Sequence, residues 1–196
     1  MRFEPLQLLG DQSADPPAIP AAVEGEHHHA VAEGQYEHGL RAVDGVTGGD
    51  LLGAYRNVPV PLMTWENDLL DDLAMTGKRL GTDFGMAEKE HYLWMVNAPH
   101  PLSGGVPAGV AVGYAKDAPM GWGKPGLGAS IIASVAGDPS KATIFGYEKG
   151  ATMDYETLAP ARRVFFFLDN ETFPNLTPTG RKLFDAAIDW AAAGGK

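Results

Sequence analysis

The chain contains no cysteine, which excludes disulfides, a thiolate nucleophile and cysteine-ligated zinc. That absence fits either side of a membrane and does not decide the compartment. Basic clusters are also missing. Lys78-Arg79 and Arg162-Arg163 are isolated pairs in a chain of net charge −10, so neither nucleic acid nor an anionic membrane surface is an expected partner. No apolar run approaches the ~20 residues of a membrane span. Residues 1–20 carry acids and prolines and no apolar signal-peptide core, so the chain as written reads as soluble and cytoplasmic.

At 196 residues, 44% hydrophobic and 20% charged, the chain has the length and composition of one globular domain with a substantial core. Residues 1–39 stand apart. They hold turn and linker chemistry (GDQSADPPAIP), then an acidic, histidine-rich stretch without a period of 2 or 3.6, and are expected to be irregular. Residues 40–196 form the expected folded domain.

Within it, strands are expected at residues 58–65, 91–96, 110–114, 130–135, 143–147 and 163–168, separated by proline- and glycine-rich turns at 100–107, 118–128 and 137–139. The run RRVFFFL is continuously apolar after its arginines, as a strand buried on both faces requires. Leu69, Leu70 and Leu73 follow acids at helical spacing and predict a helix over 67–75. The C-terminal helix is the clearest element. Thr177 is its N-cap, Pro178 its first residue, and Leu183, Phe184, Ala187, Ile188 and Ala191 its apolar stripe. Arg181 and Asp185 are spaced to pair on its outer face, and Gly194-Gly195 to close it. Strand, sharp turn and helix in alternation predict an α/β fold with a mainly parallel sheet and flanking helices.

Candidate site residues follow from chemistry and position. Glu66 stands at a strand-to-helix turn, where α/β folds bind ligands, although such a carboxylate also satisfies the free N–H groups of a helix start. His100, in the turn PHPL, is a base or metal ligand by type and a loop-fixing residue by context. Glu148, after a strand, is expected either to join Glu66 in a carboxylate pair or to be a solvated turn residue beside Lys149. Trp65, Trp94 and Trp190 are expected in the core; Trp122, in MGWGKPG, is expected to be exposed and, with Tyr147, to offer a binding surface. His27, His28, His29 and His38 have ligand chemistry without metal-site spacing, and GWGKPG lacks the spacing of a phosphate-binding loop, so no cofactor is expected. Arg162-Arg163 fit pairing with carboxylates better than an anion clamp.

Five segments in this order resemble a bacterial family: class I glutamine amidotransferase-like domains of the ThuA-like (trehalose-utilisation-like) kind. They are residues 55–77 (YRNVPVPLMTWENDLLDDLAMTG), 97–105 (NAPHPLSGG), 120–126 (MGWGKPG), 144–151 (IFGYEKGA) and 159–191, which includes DNETFPNLTPTG. The resemblance spans most of residues 50–193, and each motif is mainly structural. It implies a flavodoxin-like sheet, here with its first strands missing or replaced by the irregular residues 1–39, and a frequent setting in exported multidomain proteins beside carbohydrate-associated modules. The family's cysteine falls near Glu66, and its His and Glu partners fall where this chain has Leu168-Asp169-Asn170. Acids in both places cannot replace a thiolate–imidazole pair, so glutaminase activity is not expected. Asp169 and Asn170 remain candidate ligand-binding residues.

The expected function is therefore a non-catalytic accessory or binding domain, carbohydrate- or cell-surface-associated, with a carbohydrate or a neighbouring protein domain as partner. One alternative is a ThuA-like sugar-active enzyme in which Glu66, Glu148 and His100 converge on one pocket. Another is a truncated or degenerate gene product, for which an uncovered sheet edge or apolar patch where the missing N-terminal elements belong is expected, favouring association with itself or a neighbouring domain.

Overall fold

The computed structural model describes the backbone of residues 41–43 and the whole of residues 55–193, all within one compact unit. The expectations placed on residues 1–39, His27, His28, His29 and His38 included, lie outside the described residues, as does the Gly194-Gly195 helix stop.

A nine-stranded sheet organises the described residues. In chain order its strands are β1 (Arg41–Val43), β2 (Leu62–Thr64), β3 (Phe84–Glu90), β4 (Tyr92–Met95), β5 (Gly109–Val112), β6 (Ala118–Gly123), β7 (Ser130–Val135), β8 (Asp138–Tyr147) and β9 (Arg163–Phe166). The lateral order is β1-β2-β9-β8-β7-β4-β5, with β6 branching from β8 and carrying β3. Of the strand pairs, only β1–β2 and β2–β9 run parallel; every other described strand pair is antiparallel. The helix α1 (Pro178–Ala193) is the only α-helix among the described residues, and it is too short and too polar to cross a membrane.

This overturns the expected mainly parallel, flavodoxin-like α/β sheet with flanking helices. The run that suggested it, β9, is indeed buried on both faces. Val164 and Phe166 join Met63, Ile144 and α1 in one core cluster. Phe165 points the other way, onto Leu62, Leu69, Leu70, Phe145 and Tyr147. Two-sided burial requires a layer on each face and is silent about the direction of neighbouring strands. Here β9 has a parallel neighbour, β2, and an antiparallel one, β8.

The second layer contains the segment expected to be a helix over 67–75. Only Asn67–Leu69 forms a 3-10 turn, followed by one α-turn from Leu73 N–H to Leu69 C=O. Ala74 takes φ 57°, and the amides of Ala74 and Met75 donate back to the carbonyls of Asp71 and Leu70. That is a Schellman stop with alanine at the left-handed position usually given to glycine. The leucine spacing thus reports three plugs into one core, not a continuing helix.

Three strands, β1, β3 and β6, fall where none was expected. β6 (APMGWG) lies in a stretch that reads as a turn. Its glycines are required by close approach: a Cβ at Gly121 would stand 3.0 Å from the Phe165 ring, and one at Gly123 2.9 Å from Thr76. On β3, a Cβ at Gly85 would stand 3.0 Å from Trp122. The glycines admit aromatic rings into the sheet, where elsewhere they would weaken it.

The C-terminal helix forms as expected. Thr177 Oγ1 accepts from Gly180 N–H at 3.0 Å and also donates to backbone carbonyls at the end of β5. Leu183, Ala187, Trp190 and Ala191 are buried against the sheet. Arg181 lies over the Phe173 ring, 5.7 Å from its centroid, and forms no ion pair with Asp185.

Candidate functional site

An open cleft of about 530 Å³ lies where the end of β8 meets α1 and the turn at residue 100, with His100, Pro101, Glu148, Arg162, Asp189 and Trp190 in its lining. Each side chain has a local reason for its position. In the antiparallel β8–β9 pair Tyr147 stands opposite Arg163, so the next residues outward, Glu148 and Arg162, stand opposite one another as a cross-strand charge pair. Arg162 binds Glu148 in bidentate fashion, Nε to Oε2 at 2.8 Å and Nη2 to Oε1 at 3.1 Å. Its Nη1 donates to the Trp190 carbonyl, one of the unsatisfied carbonyls in the last turn of α1.

Trp190 fastens the helix to this corner. Its ring lies under the Arg162 guanidinium, 4.4 Å to the centroid, and beside the His100 imidazole at 5.5 Å. Gly146 makes room for it, since a Cβ there would fall 2.9 Å from the indole. The 100-turn is fixed by its own chemistry. Pro101 opens a 3-10 turn, Ser103 Oγ donates to the Ala98 carbonyl at 2.6 Å, and Gly104 at φ 56° lets the loop touch α1.

His100 Nδ1 accepts the Leu102 N–H at 3.1 Å, which leaves the ring proton on Nε2. Burial holds its pKa below the usual histidine value and Arg162 adds to that, while Glu148 works in the opposite direction. At neutral pH the cleft therefore presents a neutral imidazole N–H, two carboxylates and a guanidinium already neutralised by one of them. Among the described residues, no Ser, Thr, Tyr or Lys side chain lines it. It offers hydrogen-bond donors and acceptors.

The structure brings His100 and Glu148 together, but not Glu66. Because β2 runs parallel to β9 while β8 runs antiparallel, Glu66 lies beyond the C-terminal ends of β2 and β9, and Glu148 at their start. Glu66 precedes the 3-10 turn at Asn67 without a side-chain cap bond to it, and its own N–H donates to Thr64 Oγ1. Asp169 and Asn170 share Glu66's end of the strands. There Asp169 Oδ1 accepts the Asn170 N–H, and Thr172 Oγ1 both accepts the Asp169 N–H and donates to its carbonyl.

Trp122 and Tyr147 form no surface platform. Trp122 is 3% exposed on β6 with its Nε1–H unpartnered. Tyr147 is fully buried, donating to the Met75 carbonyl and accepting from Gly126 N–H. Trp94, expected in the core, is instead on the surface, and Trp65 is half-buried against Phe184. Among the described residues no group of His, Asp and Glu is arranged to hold a metal ion.

Asp189 and Trp190 were not singled out for the site by sequence. The signal for Arg162 with Glu148 was present, as opposite charges flanking two apolar runs, but it becomes legible only once those runs are known to pair antiparallel. No protein-family model, curated protein or solved structure matches this chain.

Proposed function

We propose that this chain is a non-catalytic binding domain whose cleft at His100, Glu148 and Asp189 takes a neutral, polyhydroxylated ligand of the carbohydrate class. The observation that carries this reading is the internal satisfaction of the cleft's reactive groups. Arg162 is neutralised by Glu148, and His100 Nδ1 already holds a backbone N–H. What remains is carboxylate lone pairs and one imidazole N–H, which suit hydroxyl groups better than an anion. The carbohydrate or cell-surface setting rests on the resemblance of the segments around NAPHPL and IFGYEKGA. The enzymatic alternative needs Glu66 and Glu148 at one reacting centre, yet they lie at opposite ends of the strands.

The test is a nuclear magnetic resonance titration of the full chain with glucose, maltose and trehalose. The expected result is selective shifts of the Trp190 indole and His100 ring with at least one sugar, no turnover, and weaker binding in Glu148→Gln. Silence at both rings with all three sugars refutes the reading. Hydrolysis of a disaccharide, abolished by Glu148→Gln, would replace it with the enzymatic one.

A further inference from the structure

Among the described residues the sheet ends laterally at β5, and none of them covers the apolar face of its last two strands. Residues alternate along β4, so Tyr92, Trp94 and the following Val96 point outward while Leu93 and Met95 are buried. On β5, Val110 and Val112 share that outward face, because Trp94 stands opposite Val110 and Tyr92 opposite Val112. The five residues are 41–63% exposed. None carries a charge, in a chain whose net charge is −10. Tyr92 is steadied by its ring contact with His91, 3.7 Å between centroids, which itself bonds Asp117.

We propose that this face packs against the same face of a second copy of the chain, forming a twofold dimer. Two features select a second copy. The patch is a column of large rings on β4 beside a column of small valines on β5. A twofold axis parallel to the strands lays the rings of each copy over the valines of the other, which is the large-on-small interdigitation of packed sheets. An uncharged contact also lets two strongly acidic molecules meet without opposing like charges across the interface.

The area sets the strength. The five side chains leave on the order of 400 Å² of surface per copy. Two copies with their rims reach about 1,000 Å², the lower bound of specific interfaces, so the dimer is weak and forms at roughly 10–100 µM.

The test is sedimentation velocity of the full chain from about 5 to about 500 µM, with Val110→Lys and Tyr92→Lys as variants. Both positions are exposed, and a thermal melt shows whether each variant keeps the fold. Wild type is expected to move from monomer to dimer mass across the range, and each folded variant to need at least about tenfold higher concentration. A wild type that stays monomeric throughout overturns the proposal. So does a dimer equally strong in both folded variants, which would place the contact elsewhere.

Discussion

Arg163 is the most consequential polar residue of the core, and its removal is a sharp test of how the sheet is held. Its side chain is completely buried at the start of β9. Among the described residues, no carboxylate meets it. The guanidinium instead donates to backbone carbonyls: Val58 at 2.6 Å, Val60 at 2.8 Å, Arg162 at 3.2 Å and Arg56 at 3.4 Å. Burial pulls its pKa down to about 10, so keeping the charge inside costs roughly 3 kcal/mol. Against that stand three close charge-assisted bonds of about 1.5–3 kcal/mol each. Arg163→Met removes both terms and strands the carbonyls of residues 56–60. That segment is only half-buried and can rehydrate by peeling off, which caps the loss. The expected net destabilisation is about 2 kcal/mol. Urea unfolding measures it, and amide exchange of Leu62, whose N–H bonds the Arg162 carbonyl, shows whether the edge opens first. Arg163→Lys should not rescue it, because one ammonium cannot span carbonyls placed for a planar fork. If Arg163→Met unfolds within about 0.5 kcal/mol of wild type with Leu62 exchange unchanged, the carbonyl cage contributes nothing and the reasoning fails.

Two further outcomes follow from buried groups and close approaches. Burial raises the pKa of both Tyr114 and Tyr147 above the ordinary 10.0. The unfolded chain therefore releases these protons first, and stability falls as pH climbs above about 10, by up to 1.4 kcal/mol per pH unit for each tyrosine. Arg163, whose folded pKa is lowered, acts in the opposite sense over the same range, so the clean measurement is alkaline unfolding of Tyr147→Phe against wild type, with a flatter slope expected in the variant. Gly180→Ala sets two effects against each other: alanine gains about 1 kcal/mol of helix propensity, but its Cβ would lie 2.4 Å from the Gly113 carbonyl. Overpacking against backbone costs about 1–3 kcal/mol, so a lower melting temperature is expected, and a higher one would show that α1 is free to shift.

What sequence made legible was whatever short-range chemistry decides. The C-terminal helix could be read because Thr177, Pro178 and the 183–191 stripe all act within a few turns of one another, and Thr177 does cap the helix. The strands β4, β7 and β9 could be read because their apolar runs need little context. The glycines of β6 defeated the same logic. A glycine that makes a turn and one that admits the Phe165 ring look identical until the ring's position is known.

The site shows the same limit at longer range. His100 and Glu148 were each visible as candidates, but which residues meet depends on strand direction, a property carried by no single segment. Had β8 run parallel to β9, Glu148 would lie at the same end as Glu66 and Asp169, and a carboxylate pair would follow. One antiparallel pairing carries Glu148 to the other end instead, opposite Arg162, where its charge is spent on a guanidinium that also holds the last turn of α1. The same inversion that removes the acid pair assembles the cleft from Trp190, His100 and Asp189. Strand direction thus bears on two of the functional readings: parallel strands would place two acids around one reacting bond, whereas the antiparallel pair leaves Glu148 bound to Arg162, the arrangement on which the proposed binding role rests.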